Sequence, residues 1–508
     1  MKKMKKLVGI LLTLAMVVAM SITTFAEENG TTPSTTSNTT QYTIAAPNNG
    51  HTYEIYQIFT GDVSGNVLSN VKWGANGKYG QGAAVGDSVL TELNGLTGSD
   101  KEKLTTIEEK YVNLNSKPYK KVQNGETTVE AGYYLIKDKN GTLEGTDDTY
   151  TLYIVKVCAN LIIEPKAEKP SSEKKVKDIN DSTGQATDWI DSADYDIGDK
   201  VPFQLKGTVA SDYANYEQYK FVFHDQESAG LTFDVNSVKV YVDGTQITSG
   251  YTVTTSTTDG DTFDVTFANL KEINSVQAGS VITVEYESTL NDKAVIGSAG
   301  NPNEMYLEYS NNPNNAQGGE TGKTPKDKVI VFTYKLDVNK VGEDGETPLS
   351  GAEFKLEKKV KTKDGESWSE IAVSKNTEGT IFTFKGLDDG VYKLSETQTP
   401  AGYNTIEDIE FTVSATHEEN SADPKLTGLT GKATNGVLTF TATKVKDAKG
   451  HDTDQVAGEL STTVQNKKGT TLPETGGMGT TILYVVGAIL VIGAGILLVT
   501  KKRMNANK

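Results

Sequence analysis

Three short stretches of the chain carry an apolar stripe into a charged or amide side chain. In a strand, residues i, i+2 and i+4 share a face. In YKLDVNKV, Leu336 and Val338 lead to Lys340. In GVYKLSE, Tyr392 and Leu394 lead to Glu396, and in ELSTTVQN, Leu460, Thr462 and Val464 lead to Asn466. One such residue alone reads as a strand end leaning into solvent. Three at the first, a middle and the last strand of one region point into a common core, where burying them unpaired would cost several kcal/mol. Burial lowers a lysine pKa and raises a glutamic acid pKa. A neutral amine can then attack the Asn466 side-chain carbonyl and release ammonia, with Glu396 shuttling protons. The product is an isopeptide bond, made once per molecule, with apolar packing supplying the proximity.

An earlier region repeats the pattern. In QYKFVFHDQESAGLTF, Tyr219, Phe221 and Phe223 lead to Asp225, while His224 points the other way. In NEMYLEYSNNP, Met305, Leu307 and Tyr309 lead to Asn311. The opening strand SSEKKVKD offers Lys174 in phase with Val176, and Lys175, out of phase, as second choice. Links from Lys174 to Asn311 and from Lys340 to Asn466 would each close more than 100 residues. By the chain-entropy argument for disulfides, each is worth on the order of 4–5 kcal/mol. The one cysteine, Cys158, excludes a disulfide framework and reads as a buried small hydrophobe in a strand.

The elements that position these residues read as β. Alternating runs such as KFVFHD, SVKVYVDG, DTFDVTFANL and GTIFTFKGLDDGVYKLSE recur with turn residues every eight to twelve positions, the pattern of β-sandwiches. One helical patch is expected at SVLTELNGLTGSDKEKLTTIEEKYVN. Seams at EPKAEKP and at NNPNNAQGGETGKTPKDK divide the exported chain at 27–166, 167–325 and 326–470. Residues 28–41 are low-complexity.

The two ends set the compartment. MKKMKKLVGILLTLAMVVAMSITTFAEEN is a secretory signal peptide over residues 1–26, cleaved between Ala26 and Glu27. At the other end, residues 471–508 hold Leu472-Pro473-Glu474-Thr475-Gly476, an apolar run over 482–499 and a basic tail from Lys501. That run spans roughly 27 Å as a helix, enough for a bilayer core. Eight of the 50 basic residues lie in the signal peptide and the basic tail and none of the 67 acidic ones lies there or in the apolar run, so 42 cations face 67 acids in the stretch between, a net −25. Such a chain is a poor nucleic-acid binder. His51, His224, His417 and His451 show no metal-ligand spacing. No phosphate-binding loop or G-x-S-x-G motif is present, so neither a cofactor nor turnover catalysis is expected.

Taken together, these motifs resemble the major backbone pilins of Gram-positive bacteria, which sortases link into covalent pili. LPETG, the apolar span and the basic tail resemble the sorting signal. KLDVNKVGEDGETPLSGAEFKLEK and GVYKLSETQTPAGY are similar to a collagen-adhesin (Cna) B-type domain, and LSETQTPAGY to the pilin E-box centred on Glu396. The resemblance implies a mainly β chain of tandem immunoglobulin-like (Cna-type) sandwiches, with a C-terminal transmembrane sorting helix. It implies bonds Lys340–Asn466 with Glu396 and Lys174–Asn311 with Asp225. It makes Lys166, in LIIEPKAEKP, the counterpart of the polymerising pilin lysine, although Glu164 stands where a tyrosine is usual, and leaves Lys169 as the alternative. The implied partners are a class C pilin-polymerising sortase and a housekeeping sortase, identical and accessory subunits, and peptidoglycan. A sortase would cut after Thr475 and pass it to the lysine of the next subunit. A monomeric wall-anchored adhesin would share every feature except that lysine.

Overall fold

The computed structural model describes residues 40–98, 100–166, 168–255, 260–315, 318–469 and 478–505. The signal peptide with Ala26 and Glu27, and the motif from Leu472 through Thr475 to Gly476, lie outside the described residues.

The chain is mostly β, as its alternation predicts, and its apolar residues gather in separate cores. The first region packs a three-stranded and a five-stranded sheet, with Tyr53–Ser64 paired to Gly132–Asp138 at the centre of the larger one. The expected helical patch forms two helices, Asp87–Asn94 and Asp100–Lys110. Gly95 receives the end of the first, and Gly98, at φ +101°, adopts a conformation that breaks a continuous helix. Cys158 sits one residue past Leu152–Val157 and is half-buried, not enclosed in the strand. Burial still pushes its thiol up, against the pull of Lys156.

The middle sandwich faces a six-stranded sheet against a seven-stranded one. Ser171–Asn180 lies in the first sheet; Phe221–Glu227 and Asn301–Ser310 pair antiparallel in the second. The second sequence seam contributes structure of its own. Thr321–Lys323 and Asp327–Phe332 both pair with Asn301–Ser310. Val329 and Val331 enter the middle core while Ile330 and Phe332 enter the next, so alternate side chains of one strand join two domains. The third sandwich has two five-stranded sheets, and its first strand, Tyr334–Val341, runs parallel to its last, Asp452–Gln465. The C-terminal helix Met478–Asn505 contains residues 482–504, long and apolar enough to cross a membrane.

The joint between the middle and third sandwiches is built around a further buried lysine, in phase with the apolar Phe354 and Leu356 of its strand. Lys358, from Glu353–Thr362, ion-pairs with Asp388 of its own sandwich and with Asp181 (2.6 Å) and Asp196 (2.7 Å) of the middle one. Burial alone would lower the Lys358 ammonium; the charges of Asp388, Asp196 and Asp181 outweigh it and hold it above its usual range. Burial pushes Asp196 up to about 6 against the same lysine. Around this contact the backbones touch. A Cβ on Gly458 would sit 2.3 Å from the Cα of Gly297, and Ser298 N–H donates to the Ala457 carbonyl at 3.1 Å. Replacing Lys358 by Met leaves its carboxylates without their cation and should lower unfolding stability by about 3–5 kcal/mol. Lys359→Met, which removes a more exposed pair with Glu366, should cost less than about 1 kcal/mol. Urea unfolding of the two variants checks the contrast.

Candidate functional site

The parallel pairing in the third sandwich sets Lys340 opposite Val464, and Asn466 follows one residue past that strand's end. All three residues of the first stripe set converge. Lys340 Nζ donates to Asn466 Oδ1 at 2.7 Å, and Asn466 Nδ2 donates to both Glu396 oxygens at 2.9 and 3.1 Å. All three side chains are buried. The Glu396 carboxylate is fixed by the Ile406 N–H at 3.1 Å and the Thr399 hydroxyl at 3.3 Å. The amine thus lies against the amide carbonyl, and the carboxyl lies against the nitrogen that would leave. This arrangement suits acyl transfer from asparagine to lysine, with Glu396 handling the leaving group's proton.

In the middle sandwich the structure brings Lys174 to Asp225 but does not bring Asn311 to either. Lys174 Nζ donates to Asp225 Oδ2 and, at 2.9 Å, to the Tyr286 hydroxyl, which donates to the same Asp225 oxygen at 2.9 Å. The rings of Phe203 and Tyr286 flank the ammonium, with centroids at 5.3 and 5.4 Å. The asparagine at this cluster is Asn303, whose Nδ2 donates to the Tyr286 hydroxyl at 2.9 Å and to Glu227 at 3.4 Å. Its Oδ1 is buried with no hydrogen-bond partner.

Strand direction explains the correction. Phe221–Glu227 and Asn301–Ser310 are antiparallel, with Asp225 opposite Met305 and Glu227 opposite Asn303. Asn311 lies six positions beyond Met305, roughly 20 Å along the strand. There its side chain donates to the carbonyls of Leu143 and Asp148, both at 3.0 Å, and clasps the first region to the middle one. Both missed residues were in phase with their stripes, Asn303 two before Met305 and Glu227 two after Asp225. Lys175 turns outward to an ion pair with Asp191.

The electrostatics of the two clusters agree. Burial lowers the Lys174 ammonium, against the charge of Asp225. Burial raises Asp225, against Lys174, and pushes Glu227 up to about 8. That favours the protonated carboxyl at neutral pH, with Glu227 against the Asn303 amide nitrogen at 3.4 Å. Lys166 and Lys169 line a cleft of about 160 Å3 with His51, Asp148 and Pro165. Lys166 N–H donates to Thr151 Oγ1 at 3.0 Å, and Lys169 Nζ is paired with Asp147. The fold also gathers histidines that are scattered in sequence. His224 meets Asp261, Asp264 and Glu308, and His417 meets Asp178.

Burial pulls the Lys340 ammonium down to about 8 from 10.5, against the opposing charge of Glu396. Between those values the unfolded chain binds the extra proton, so stability rises with pH across that window. An Asn466→Ala variant, which cannot form a link, should gain resistance to urea from about pH 8 to pH 10.5. Adding Lys340→Met should flatten that rise.

Comparison with known proteins agrees with this architecture. Residues 197–313 match the family described as Gram-positive pilin backbone subunit 2, Cna-B-like domain. Residues 334–425 match SpaA, a prealbumin-like fold domain, and residues 464–506 match the LPXTG cell wall anchor motif. The trypsin-resistant surface T6 protein of Streptococcus pyogenes serotype M6 is 29% identical over 391 residues, 66% of this chain and 70% of the relative. The solved T6 backbone pilin of the same serotype, described as a modular three-domain structure, superimposes with a TM-score of 0.50 at 19% identity, covering 85% of this chain and 98% of that one. The full-length major pilin SpaD of Corynebacterium diphtheriae overlaps with a TM-score of 0.45 at 17% identity, over 84% of this chain and 97% of its own. The matched anchor motif and the apolar C-terminal helix place the protein, secreted, at the cell wall. These matches are to Gram-positive pilin backbone proteins, to a Cna-B-like domain and to an LPXTG anchor motif, and the chain is similar to that family over its middle, third and C-terminal segments.

Proposed function

We propose that this chain is the backbone subunit of a covalent pilus, joined from Thr475 of one copy to Lys166 of the next and clamped internally by two isopeptide bonds. The observation that carries the internal bonds is the contact of Lys340 Nζ with Asn466 Oδ1, with Glu396 at the amide nitrogen. In the first bond, Lys340 Nζ joins Asn466 Cγ, the Cγ–Nδ2 bond breaks, and ammonia leaves carrying a proton that Glu396 relays from the amine. In the second, Lys174 joins Asn303, with Asp225 taking the amine proton and Glu227 giving one to the departing nitrogen. Lys340 and Asn466 lie 126 positions apart in the chain. A bond between them fastens the first strand of the sandwich directly to its last, so that tension along the chain loads an amide in place of a hydrogen-bond ladder.

Assembly uses the two ends of the exported chain. A sortase thiol attacks the Thr475 carbonyl and releases the segment from Gly476 onward; the resulting thioester is resolved by Lys166 of another copy. Repetition with identical subunits builds the shaft, accessory pilins join it, and transfer by a housekeeping sortase to a peptidoglycan amine ends it. The chain is the substrate of these transfers. The adhesin alternative differs only at the lysine. Cell-wall extracts of the expressing strain should show a ladder of multimers that resists sodium dodecyl sulfate. Lys166→Arg should collapse it to a wall-anchored monomer while Lys169→Arg leaves it intact. A single band from the unaltered protein would favour the adhesin.

A further inference from the structure

Beside the Lys358 contact, the joint between the middle and third sandwiches gathers a second set of polar side chains. Asp178, from Ser171–Asn180, and Asp194, from Ser192–Asp194, come from the middle sandwich; His417 ends Ile409–His417 of the third. One ligand atom from each lies within 4.8 Å of the other two. Asp194 is only 2% exposed. The Asp389 N–H donates to Asp194 Oδ2 at 3.2 Å, and the Oδ1 of Asp389 is buried with no hydrogen-bond partner. The Tyr334 hydroxyl, on a fully buried side chain, faces Asp194 without reaching hydrogen-bond geometry.

The surroundings of His417 fix which of its nitrogens points into this cluster. The Ser192 hydroxyl has one proton, which it donates to the Glu418 carbonyl at 2.8 Å. Toward His417 Nδ1, at 2.7 Å, Ser192 Oγ can then only accept, so Nδ1 carries a hydrogen. The neutral ring therefore aims the lone pair of Nε2 at Asp178 Oδ2, 3.3 Å away. A lone pair and a carboxylate oxygen repel unless a positive charge lies between them. A metal-bound histidine has its other N–H held in just this way. A proton on Nε2 would supply one positive charge, but Asp178, Asp194 and Asp389 bring three carboxylates to the same place. Lys358 acts on Asp194 and Asp389 from a distance, yet its ammonium is already paired with Asp388, Asp196 and Asp181. Burial, with the charges of Asp178 and Asp389, holds the Asp194 carboxyl well above the usual range.

We propose that Asp178, Asp194 and His417 form a site for a divalent transition-metal ion of the zinc class, which fastens the third sandwich to the middle one. The donor set decides the class of ion. An imidazole nitrogen among carboxylate oxygens suits Zn2+, whereas Ca2+ and Mg2+ take oxygen ligands and would leave Nε2 unused. The ion displaces the proton that Asp194 otherwise keeps, so binding releases protons.

The test is calorimetric titration of the chelator-treated mature chain with zinc chloride, in buffers of different ionisation enthalpy, with thermal unfolding in parallel. The wild-type chain should bind zinc with proton release and a raised thermal midpoint, and a tenfold excess of Ca2+ should not displace it. Ser192→Ala keeps every ligand but loses the acceptor for Nδ1–H, and should weaken binding about 10-fold or more. His417→Gln and Asp194→Asn should weaken it further. His224→Gln, in a separate cluster with Asp261 and Asp264, should leave affinity and midpoint shift unchanged. No zinc binding by the wild-type chain would overturn the proposal. So would wild-type affinity in both His417→Gln and Ser192→Ala, or loss of binding in His224→Gln alone. Displacement by Ca2+ would overturn the assignment to a nitrogen-ligated ion.

Discussion

A lysine amine enclosed by apolar side chains is the constraint on which the account depends. In water the amine is an ammonium and inert toward amides. Closed in by two sheets, its charge is disfavoured, and the same closure holds it against an asparagine carbonyl. The third sandwich shows how strand order achieves this. Its first strand runs parallel to its last, so Lys340 and Asn466 meet at one end of the core, with Glu396 from the facing sheet beneath them. Folding therefore assembles the reacting groups, and the proposed bond then fixes the fold that made it.

The three buried lysines are not equivalent, and the difference lies in their partners. Lys358 has three carboxylates around it, which keep it charged and make it an ionic pin between two sandwiches. Lys340 has an amide and one carboxyl, and Lys174 has a carboxylate, a phenol and two aromatic faces. Burial dominates for these two and lowers the ammonium. For a shaft protein the two kinds of lysine are complementary. The reactive pair would secure strands within a sandwich, and the charged one secures one sandwich against the next.

Much of this was legible from period-two alternation, and the failures have physical reasons. The stripes ending at Lys340, Glu396 and Asn466 identify one cluster because each ends a strand at the same end of the core. The stripe through Met305, Leu307 and Tyr309 has two ends, and alternation cannot say which faces Asp225. That choice is made by strand direction, and antiparallel pairing selects Asn303 over Asn311. Glu227 was hidden for a related reason, since the stripe was stopped at its first acid. Lys358 is in phase with Phe354 and Leu356, but two of its three carboxylates, Asp181 and Asp196, come from a different sandwich and cannot be paired with it by alternation.

The most direct test of the central claim is the intact mass of the mature extracellular chain. The account predicts a mass about 34 Da below that calculated from the sequence, one ammonia for each of two bonds. Asn303→Ala and Asn466→Ala should each restore one ammonia to the balance, while Asn311→Ala leaves both bonds in place. A wild-type chain at its full calculated mass would contradict the account.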